Sequence, residues 1–304
     1  MHQIEIEAVS KKYPPAVCAL DSVTFSVGEG ELFGLIGPDG AGKTSLIKIL
    51  TTLLLPTSGS ARVMGLDTVR DYRAIRPRIG YMPGRFSLYQ DLSIEENLQF
   101  FASVFGTTIA ENYHLIEEIY QQIEPFKKRR AGALSGGMKQ KLALCCALVH
   151  APEVLFLDEP TTGVDAVSRK EFWEMLGRLR ARGLTMLVST PYMDEASLCD
   201  RVGLIQDGKM LGIDTPTGLC RGFSRPLFSI KSREKLRLLH DLRRQNWTVS
   251  CWPFGEVAHL ATIENGPKPA EIEDFLQKNG HSEVLVEKIG AGIEDVFMDL
   301  MGKN

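Results

Sequence analysis

Long apolar segments are missing from this chain. Its longest uninterrupted apolar stretch covers residues 142–149. A helix that crosses a bilayer needs roughly 18 to 20 such residues. We therefore expect any role at a membrane to depend on a partner.

An excess of basic residues is missing as well. The chain has 35 Lys and Arg against 38 Asp and Glu, which gives a net charge of −3. Proteins that bind duplex nucleic acid usually carry a basic face, so this balance argues against nucleic acid as a partner. One local basic run, at residues 127–130, is interpreted as the solvated end of a helix.

Cysteine pairs at the spacing of metal ligands are also absent. The six cysteines are scattered without metal-ligand spacing and without a preceding signal peptide, at positions 18, 145, 146, 199, 220 and 251. This usage predicts a reducing cytosol. Cys145 and Cys146 lie inside the apolar run, which predicts that they are small core residues rather than redox groups.

The chain does contain enough apolar sequence for a folded core. A length of 304 residues, with 44% hydrophobic and 24% charged residues, suits about two globular domains. Residues 3–9 and 22–27 are rich in β-formers and predict an antiparallel β subdomain. Residues 32–36 predict a strand that runs into a glycine-rich loop. The helix after that loop is expected at 43–55, with residues 56–59 ending it.

From about residue 92 to residue 149 the apolar residues recur mainly at the spacing of a helix. Residues 93–96 are typical of a helix cap, and residues 115–123 are amphipathic. We interpret the region of about 85–150 as a helical insert between two halves of an α/β sheet. Strands that alternate with helices beyond it indicate a parallel core. The expected elements there are strands 154–157, 185–189 and 201–206, helix 168–180 and a turn at 206–209.

A different order of elements follows residue 222. Residues 223–304 predict a separate accessory or regulatory domain of β-α-β-β-α-β order, which is the ferredoxin-like arrangement. Its expected elements are strand 227–231, helix 234–243, strands 247–251 and 257–263, helix 270–277 and strand 283–287. Its histidines, His240, His259 and His281, lack metal-ligand spacing and are expected to face solvent.

The glycine-rich loop fits a phosphate-binding pattern. It follows a predicted strand and precedes a predicted helix, which is the context that this pattern requires. Its glycines allow backbone N–H groups to surround a β-phosphate, Lys43 reaches the β and γ oxygens, and Thr44 offers a hydroxyl to Mg²⁺. The candidate ATP-binding residues of this loop are Gly37, Pro38, Asp39, Gly40, Ala41, Gly42, Lys43, Thr44 and Ser45.

Two acidic residues follow the buried strand predicted at 154–157. Ligands of open parallel sheets collect at the carboxyl ends of the strands, where Asp158 and Glu159 lie. Asp158 is expected to hold the magnesium shell together with Thr44. Glu159 is expected to be the catalytic residue that orients or deprotonates the attacking water.

A third motif opens the helix that contains the apolar run. Ser135 and the bare N–H groups of Gly136 and Gly137 lie at a predicted helix start, where they form an anion site without a basic side chain. Together with the two motifs above, residues 134–140 closely resemble the signature of the ATP-binding cassette (ABC) family. The resemblance covers roughly residues 1–222.

This resemblance implies the α/β fold of a P-loop NTPase, with a RecA-like mixed sheet, an antiparallel β subdomain and a helical insert. Two cassettes of the family pair head to tail, so that Ser135 to Gly137 bind the ATP of a partner cassette. Tyr13 matches the aromatic residue that stacks on adenine, although it can also be a packing residue beside Pro14. Asp165 matches the acidic loop that contacts the other cassette.

Finer details are similar to the cassettes of ABC-2-type exporters. Those details are the stretches 37–40, 138–140 and 193–196 and the terminal stretch 293–297, which is similar to the closing helix of their C-terminal extension. Residues 81–83, residues 88–92 and the altered stretch at 189–191 look most like the first half of YbhF-type transporters, which fuse two cassettes.

Two positions depart from the family. Gly84 stands where the family usually has a glutamine that approaches magnesium, and Pro191 stands where it usually has a histidine that hydrogen-bonds the γ-phosphate. Glycine has no side chain, and proline lacks both a donor side chain and an amide hydrogen. Loss of one such donor can cost on the order of 10² to 10³ in rate. Arg85 or a partner residue is the alternative source of the missing groups.

The resemblance therefore implies an ATPase subunit of a membrane exporter, peripheral at the cytoplasmic face of the cell membrane, with ATP and Mg²⁺ as cofactors. Its own site is expected to turn over slowly, while its signature completes the site of a second cassette, preferably a different chain. ABC-2-type transmembrane subunits are the other expected partners. The alternatives are a non-catalytic nucleotide-binding scaffold or regulator, and a soluble cassette ATPase acting on ribosomes or DNA.

Overall fold

The computed structural model describes residues 2–15 and 17–302. This part of the chain divides after Pro216 into two compact units. The domain boundary expected from the sequence, after residue 222, lies at the other end of a short helix, Pro216–Arg221. None of the helices in the described residues is long and apolar enough to cross a membrane.

The first unit is built from ten strands and six helices among the described residues. In chain order these are β1 (His2–Tyr13), β2 (Val17–Gly28), β3 (Leu32–Ile36), α1 (Lys43–Leu50), β4 (Ser58–Val63), β5 (Leu66–Asp67), α2 (Tyr72–Ile75), β6 (Ile79–Met82), α3 (Ile94–Val104), α4 (Tyr113–Tyr120), α5 (Gly136–Leu148), β7 (Val154–Asp158), α6 (Ala166–Ala181), β8 (Thr185–Thr190), β9 (Arg201–Gln206) and β10 (Lys209–Asp214). Single turns of 3-10 helix lie at Arg76–Arg78, Glu124–Phe126 and Ala131–Ala133, and a longer one at Met193–Leu198.

A four-stranded sheet of order β2-β1-β4-β5 forms the antiparallel subdomain predicted from the sequence. A six-stranded sheet has the order β10-β9-β3-β8-β7-β6 and is parallel except for β10. Strands β3, β7 and β8 are buried along their whole length around apolar centres, and these strands run parallel to one another and to β6. The carboxyl ends of β3, β8, β7 and β6 therefore lie side by side at one edge of the sheet.

The helical insert begins with α3. Ser93 caps this helix, because its hydroxyl accepts from the Glu96 amide while the Glu96 carboxylate accepts from the Ser93 amide. The basic run at 127–130 begins at Lys127, which caps the end of the 3-10 helix Glu124–Phe126, and residues 128–130 are exposed, so the solvated helix end is that of a 3-10 turn. The backbone of this run also bonds to the start of α3. Cys145 and Cys146 are buried in α5, as predicted.

The helix after the phosphate loop is shorter than the sequence suggests. It ends at Leu50 instead of residue 55, because Thr52 adopts a left-handed φ of 62° that breaks the helical path. Residues 58 and 59, expected to end that helix, instead start strand β4. The turn predicted at 206–209 joins β9 to β10, with positive φ at Asp207 and Gly208.

The second unit has one small sheet with helices. Its remaining elements are β11 (Leu227–Lys231), α8 (Lys235–Arg243), β12 (Thr248–Phe254), β13 (Val257–Thr262), α9 (Pro269–Lys278), β14 (Leu285–Ile289) and α10 (Ile293–Met301), after α7 (Pro216–Arg221). The strand order is β12-β13-β11-β14 and every pairing is antiparallel. The predicted β-α-β-β-α-β order is confirmed.

The expectation that all three histidines of this unit face solvent is wrong. His281 is buried, and its two ring nitrogens lie 3.2 Å from the Ser232 hydroxyl and 3.0 Å from the Asp241 carboxylate. His259 is mostly covered and lies 2.7 Å from Asp295. Of the three, His240 is the exposed one. Metal-ligand spacing says nothing about burial, because contacts across the sheet join residues far apart in the chain.

Candidate functional site

The glycine-rich loop leaves the end of β3 and turns tightly into α1. Gly40 and Gly42 have φ values of 81° and 105°, a region that favours glycine. A β-carbon on Gly42 would also lie 2.3 Å from the Ala19 carbonyl oxygen, so no other residue fits there without a shift. The loop is tied to β8 by the Gly37 amide, which donates to the Thr190 carbonyl at 3.3 Å.

Lys43 begins α1 and points back under the loop. Its side chain is only 3% exposed, and the ammonium donates to the carbonyl oxygens of Gly37 (2.7 Å) and Pro38 (3.0 Å). The same ammonium lies 3.1 Å from a carboxylate oxygen of Glu159. The structure thus brings the phosphate-loop lysine and the predicted catalytic carboxylate together, although they are far apart in sequence.

Asp158 ends β7 and is held by two hydroxyl groups. Thr44 donates to one of its oxygens at 3.1 Å, and Ser189 donates to the same oxygen at 2.7 Å. Hydroxyl and carboxylate oxygens are the hard ligands that Mg²⁺ prefers, so Thr44 and Asp158 fit the metal expected here. Burial, followed by the Asp158 charge, raises the pKa of Tyr81 to about 12, which keeps that phenol neutral.

Glu159 adopts a left-handed backbone, with a φ of 49°. Its amide donates to both the carbonyl and the hydroxyl oxygen of Ser189, at 3.0 and 3.1 Å. Such a conformation in a residue with a side chain costs energy and persists only where the surroundings hold it. Ser189 is therefore a site residue that the sequence did not single out, and it is paired with Asp158 across β7 and β8. The one sequence signal was its place as a polar residue at the end of the strand predicted at 185–189.

The signature residues lie at the start of α5. Ser135 caps the helix, because its hydroxyl accepts from the Met138 amide at 3.3 Å. Ser135 and Gly136 are exposed, whereas Gly137 is buried against α6. A β-carbon on Gly137 would lie 2.6 Å from the Ser168 hydroxyl oxygen. Among the described residues, no hydrogen bond joins these signature residues to the phosphate loop.

Asp165 and Tyr13 lie on two further elements. Asp165 caps α6, and one of its oxygens accepts from the amides of Val167 (3.1 Å) and Ser168 (3.0 Å). The hydrogen bond from the Ser168 amide is the main cause that holds the Asp165 pKa below its usual range. The Tyr13 hydroxyl lies 3.3 Å from the Ser45 hydroxyl, which places the ring beside the first turn of α1.

The two unusual positions lie at the same sheet edge. Gly84 follows β6, and a β-carbon there would be 2.9 Å from the Asp158 carbonyl oxygen and 3.8 Å from the Glu159 β-carbon. Pro191 directly follows Thr190, the last residue of β8. Both positions therefore adjoin the strands that end at Asp158 and Thr190, while neither supplies a side-chain donor.

This arrangement defines a nucleotide-binding cassette, and comparison with known proteins agrees. Residues 20–162 match the family model described as ABC transporter. The chain is 38% identical to the Nod factor export ATP-binding protein I of Paraburkholderia xenovorans (strain LB400), over 99% of this chain and 97% of that protein. The chain belongs to the ATP-binding proteins of ABC transporters.

Two other comparisons add detail. The chain is 43% identical to the "Probable multidrug ABC transporter ATP-binding protein YbhF" of Escherichia coli (strain K12), over 98% of this chain and 52% of that protein. It thus spans about half of that relative's length. The solved dimeric cassette MJ0796, in a post-hydrolysis state with ADP and Pi, superposes with a TM-score of 0.63 at 25% identity, covering 70% of this chain and 98% of that one.

Proposed function

We propose that this chain is the ATP-binding subunit of an ABC-2-type exporter, at the cytoplasmic face of the cell membrane. In this proposal ATP binding closes a pair of cassettes and moves the attached membrane subunits. The relatives support it, since one is named for Nod factor export and another as a multidrug transporter protein. The transported compound would be bound by the membrane subunits.

The observation that carries the finer proposal is the pairing of an intact binding loop with two missing donors. Lys43 donates to the Gly37 carbonyl under the loop and Thr44 donates to Asp158, so the binding residues are in place and ATP binding is expected to survive. Gly84 and Pro191 cannot hydrogen-bond a γ-phosphate or a water through a side chain. We infer that the site built on this chain's own phosphate loop hydrolyses ATP slowly.

Each remaining residue has a task in that site. The loop amides and Lys43 would hold the β- and γ-phosphates, and Tyr13 would cover the adenine. A bound Mg²⁺ would be held by Thr44 and Asp158 and would neutralise charge on the phosphate oxygens. Glu159 would orient the attacking water once the phosphates draw Lys43 away from its carboxylate.

The signature supports a partner cassette. Ser135 and Gly136 are exposed at the start of α5, where backbone N–H groups and the helix dipole favour an anion. None of the signature residues Ser135 to Gly137 is replaced, so the partner's ATP would contact an unaltered signature. We infer a heterodimer in which the second cassette carries the faster site.

An apolar groove supports a membrane subunit as the other partner. The groove has a volume of about 370 Å³ and lies between the helical insert and the end of β6. Its walls include Tyr81, Met82, Leu88, Phe101, Phe105 and Cys146. Grooves with such walls bind amphipathic helices through a few apolar anchors. A short helix of a transmembrane subunit is the occupant that we propose.

The test uses the full chain assembled with its natural second cassette and membrane subunits. Glu159→Gln in this chain should leave more than half of the ATP turnover, whereas the same change at the second cassette's catalytic glutamate should abolish it. If both changes abolish turnover equally, the asymmetric proposal is wrong. If the chain does not co-purify with a membrane subunit, the exporter assignment fails and a nucleotide-binding scaffold is favoured.

A matched pair of variants tests the signature separately. Asp and Asn both replace Ser at helix N-caps without large cost. Ser135→Asp places a negative charge towards the partner's γ-phosphate and should reduce turnover at least tenfold more than Ser135→Asn does. Equal effects of the two variants would contradict a phosphate contact at Ser135.

A further inference from the structure

A buried carboxylate lies beside the site and is not used in the mechanism above. Glu195, in the 3-10 helix Met193–Leu198, is only 2% exposed. Its two carboxylate oxygens have different donors: the Thr161 hydroxyl donates to one at 2.8 Å, and the Thr190 hydroxyl donates to the other. Burying a carboxylate costs free energy unless the group is hydrogen-bonded and paired with a cation. Both oxygens of Glu195 are hydrogen-bonded here.

A cation lies close to this carboxylate. The Arg169 guanidinium approaches Glu195 at 3.8 Å and donates to Asp194 at 3.1 Å. The same guanidinium lies over the Tyr192 ring, 4.8 Å from its centroid. Arg169 thus offsets the burial of Glu195 while it holds the segment that follows Pro191 against α6.

Three parts of the site meet at Glu195. Thr190 ends β8 before Pro191, and its carbonyl accepts from the amide that opens the phosphate loop. Thr161 begins the loop that leads to Asp165. Arg169 lies in the first turn of α6, directly after Ser168, which packs on the signature glycine Gly137.

We propose that Glu195 is a positioning residue that fastens the 161–165 loop and the first turn of α6 to the Pro191 segment. This inference rests on the proposed function, because the loop and the signature would act on a partner's nucleotide. Pro191 offers no side-chain donor. The residue before it, Thr190, donates to the Glu195 carboxylate, and this bond holds the segment in place from inside the cassette. The signature and Asp165 are then set for the second cassette before ATP arrives.

The first experiment measures ATP turnover of the assembled complex. Glu195→Gln should lower kcat about tenfold, because small misplacements of reacting groups are costly, while KM for ATP changes less than twofold. Thr161→Val should do the same, because it removes the donor to one of the two carboxylate oxygens. Glu195→Ala removes both acceptors, so the double variant Glu195→Ala with Thr161→Val should be no slower than Glu195→Ala alone. Glu174→Gln is the matched control: it removes an exposed carboxylate of α6 that takes no part in these contacts, and kcat should be unchanged.

The second experiment measures amide hydrogen exchange in the full chain without partners. The amides of Thr162 and Val164 donate to Glu159 and Thr161 within the loop, so loosening the loop exposes them. Exchange at 162–165 should rise at least tenfold in Glu195→Gln and Thr161→Val and stay unchanged in Glu174→Gln. This readout does not require turnover, so it remains decisive even if the wild-type complex hydrolyses no ATP and the proposed function fails.

Three results would overturn the role of Glu195. These are unchanged loop exchange in Glu195→Gln, additive losses of kcat in the double variant, and a loss of kcat that only follows a fall in Tm. The last result would show a residue needed for folding rather than for positioning.

Discussion

Gly84 lies so close to Asp158 that a β-carbon at position 84 would be 2.9 Å from the Asp158 carbonyl oxygen. Real β-carbons essentially never approach a backbone atom this closely, so position 84 has to be glycine while the backbone keeps this arrangement. The missing glutamine is therefore more than a lost side chain: the backbone occupies part of the space that a side chain would need. Restoring the residue alone does not restore the family's geometry.

The first prediction concerns these two departures. With the second cassette's catalytic glutamate changed to glutamine, Pro191→His should raise turnover at this chain's own site about tenfold, because it returns a donor near the γ-phosphate. Gly84→Gln should give no increase and should lower Tm. Gly84→Ala is the control, and it should lower Tm for the same steric reason. A gain in turnover from Gly84→Gln with unchanged Tm would contradict the close approach to Asp158.

The second prediction concerns the two signature glycines. Gly137→Ala should destabilise the chain by about 1–3 kcal/mol, because its methyl group meets Ser168 at 2.6 Å. Gly136→Ala should be nearly neutral, since its nearest contact would be 3.7 Å away, at the Gly163 carbonyl oxygen. Urea unfolding measures both. Adding Ser168→Gly to Gly137→Ala should recover part of the loss, and equal unfolding free energies for the two alanine variants would refute the packing.

The third prediction separates the two roles considered for Tyr13. Stacking of a base on an aromatic ring is worth about 1–3 kcal/mol, so Tyr13→Ala should weaken ATP binding about tenfold or more in calorimetry. Tyr13→Phe keeps the ring and loses only the hydroxyl contact with Ser45, so its Kd should stay within about twofold. If Tyr13→Ala lowers Tm and leaves the Kd for ATP unchanged, Tyr13 is a packing residue.

The fourth prediction is an acid sensitivity of the second unit. The Ser282 amide, and next its hydroxyl, lower the pKa of Glu234 to about 2 from an ordinary value of 4.5. A carboxylate with a lowered folded pKa contributes stability above its unfolded pKa and loses it as pH falls towards the folded value. Glu234→Gln should therefore be less stable at pH 7 and lose less stability between pH 4.5 and 2.

Urea unfolding in a Trp173→Phe background measures this effect, because Trp247 and Trp252 then report on the second unit. Glu287→Gln, which changes an exposed carboxylate on β14, provides the comparison. Parallel pH profiles for wild type and Glu234→Gln would contradict the prediction.

The fifth prediction concerns the cysteines. Burial raises the pKa of the Cys145 thiol and brings that of Cys251 to about 11, so both should resist a thiol reagent at pH 8. Cys18 is exposed and should react within minutes. Labelling followed by peptide mapping gives the order. Rapid native labelling of Cys145 would show that the apolar run at 142–149 is open to solvent.

Motifs made of neighbouring residues could be read from the sequence. Gly40 and Gly42 predict a tight turn. The apolar strand before Asp158 predicts that its carboxylate lies at the carboxyl edge of the sheet. The β-α-β-β-α-β order of the second unit follows from periodicity alone. These features depend on backbone preferences within a few residues, so they need no knowledge of the rest of the chain.

Helix ends and burial that no local pattern marks could not be predicted from the sequence. The end of α1 at Leu50 depends on a left-handed Thr52, which no local pattern marked. The buried His281 is bonded to Ser232, just after β11, and to Asp241 in α8, both far from it in sequence. A residue's spacing in sequence does not reveal which side chains the sheet brings next to it.

The sequence by itself determined the ATP-binding cassette, its predicted catalytic glutamate and the glycine and proline at positions 84 and 191, because each of these is a residue type within a short motif. Only the tertiary structure decided that Gly84 presses on Asp158, that Ser189 holds both acidic residues, and that Glu195 joins Thr161 to Thr190. The order of β6, β7 and β8 creates those contacts. Strand order follows from packing of the whole sheet, which no single segment encodes.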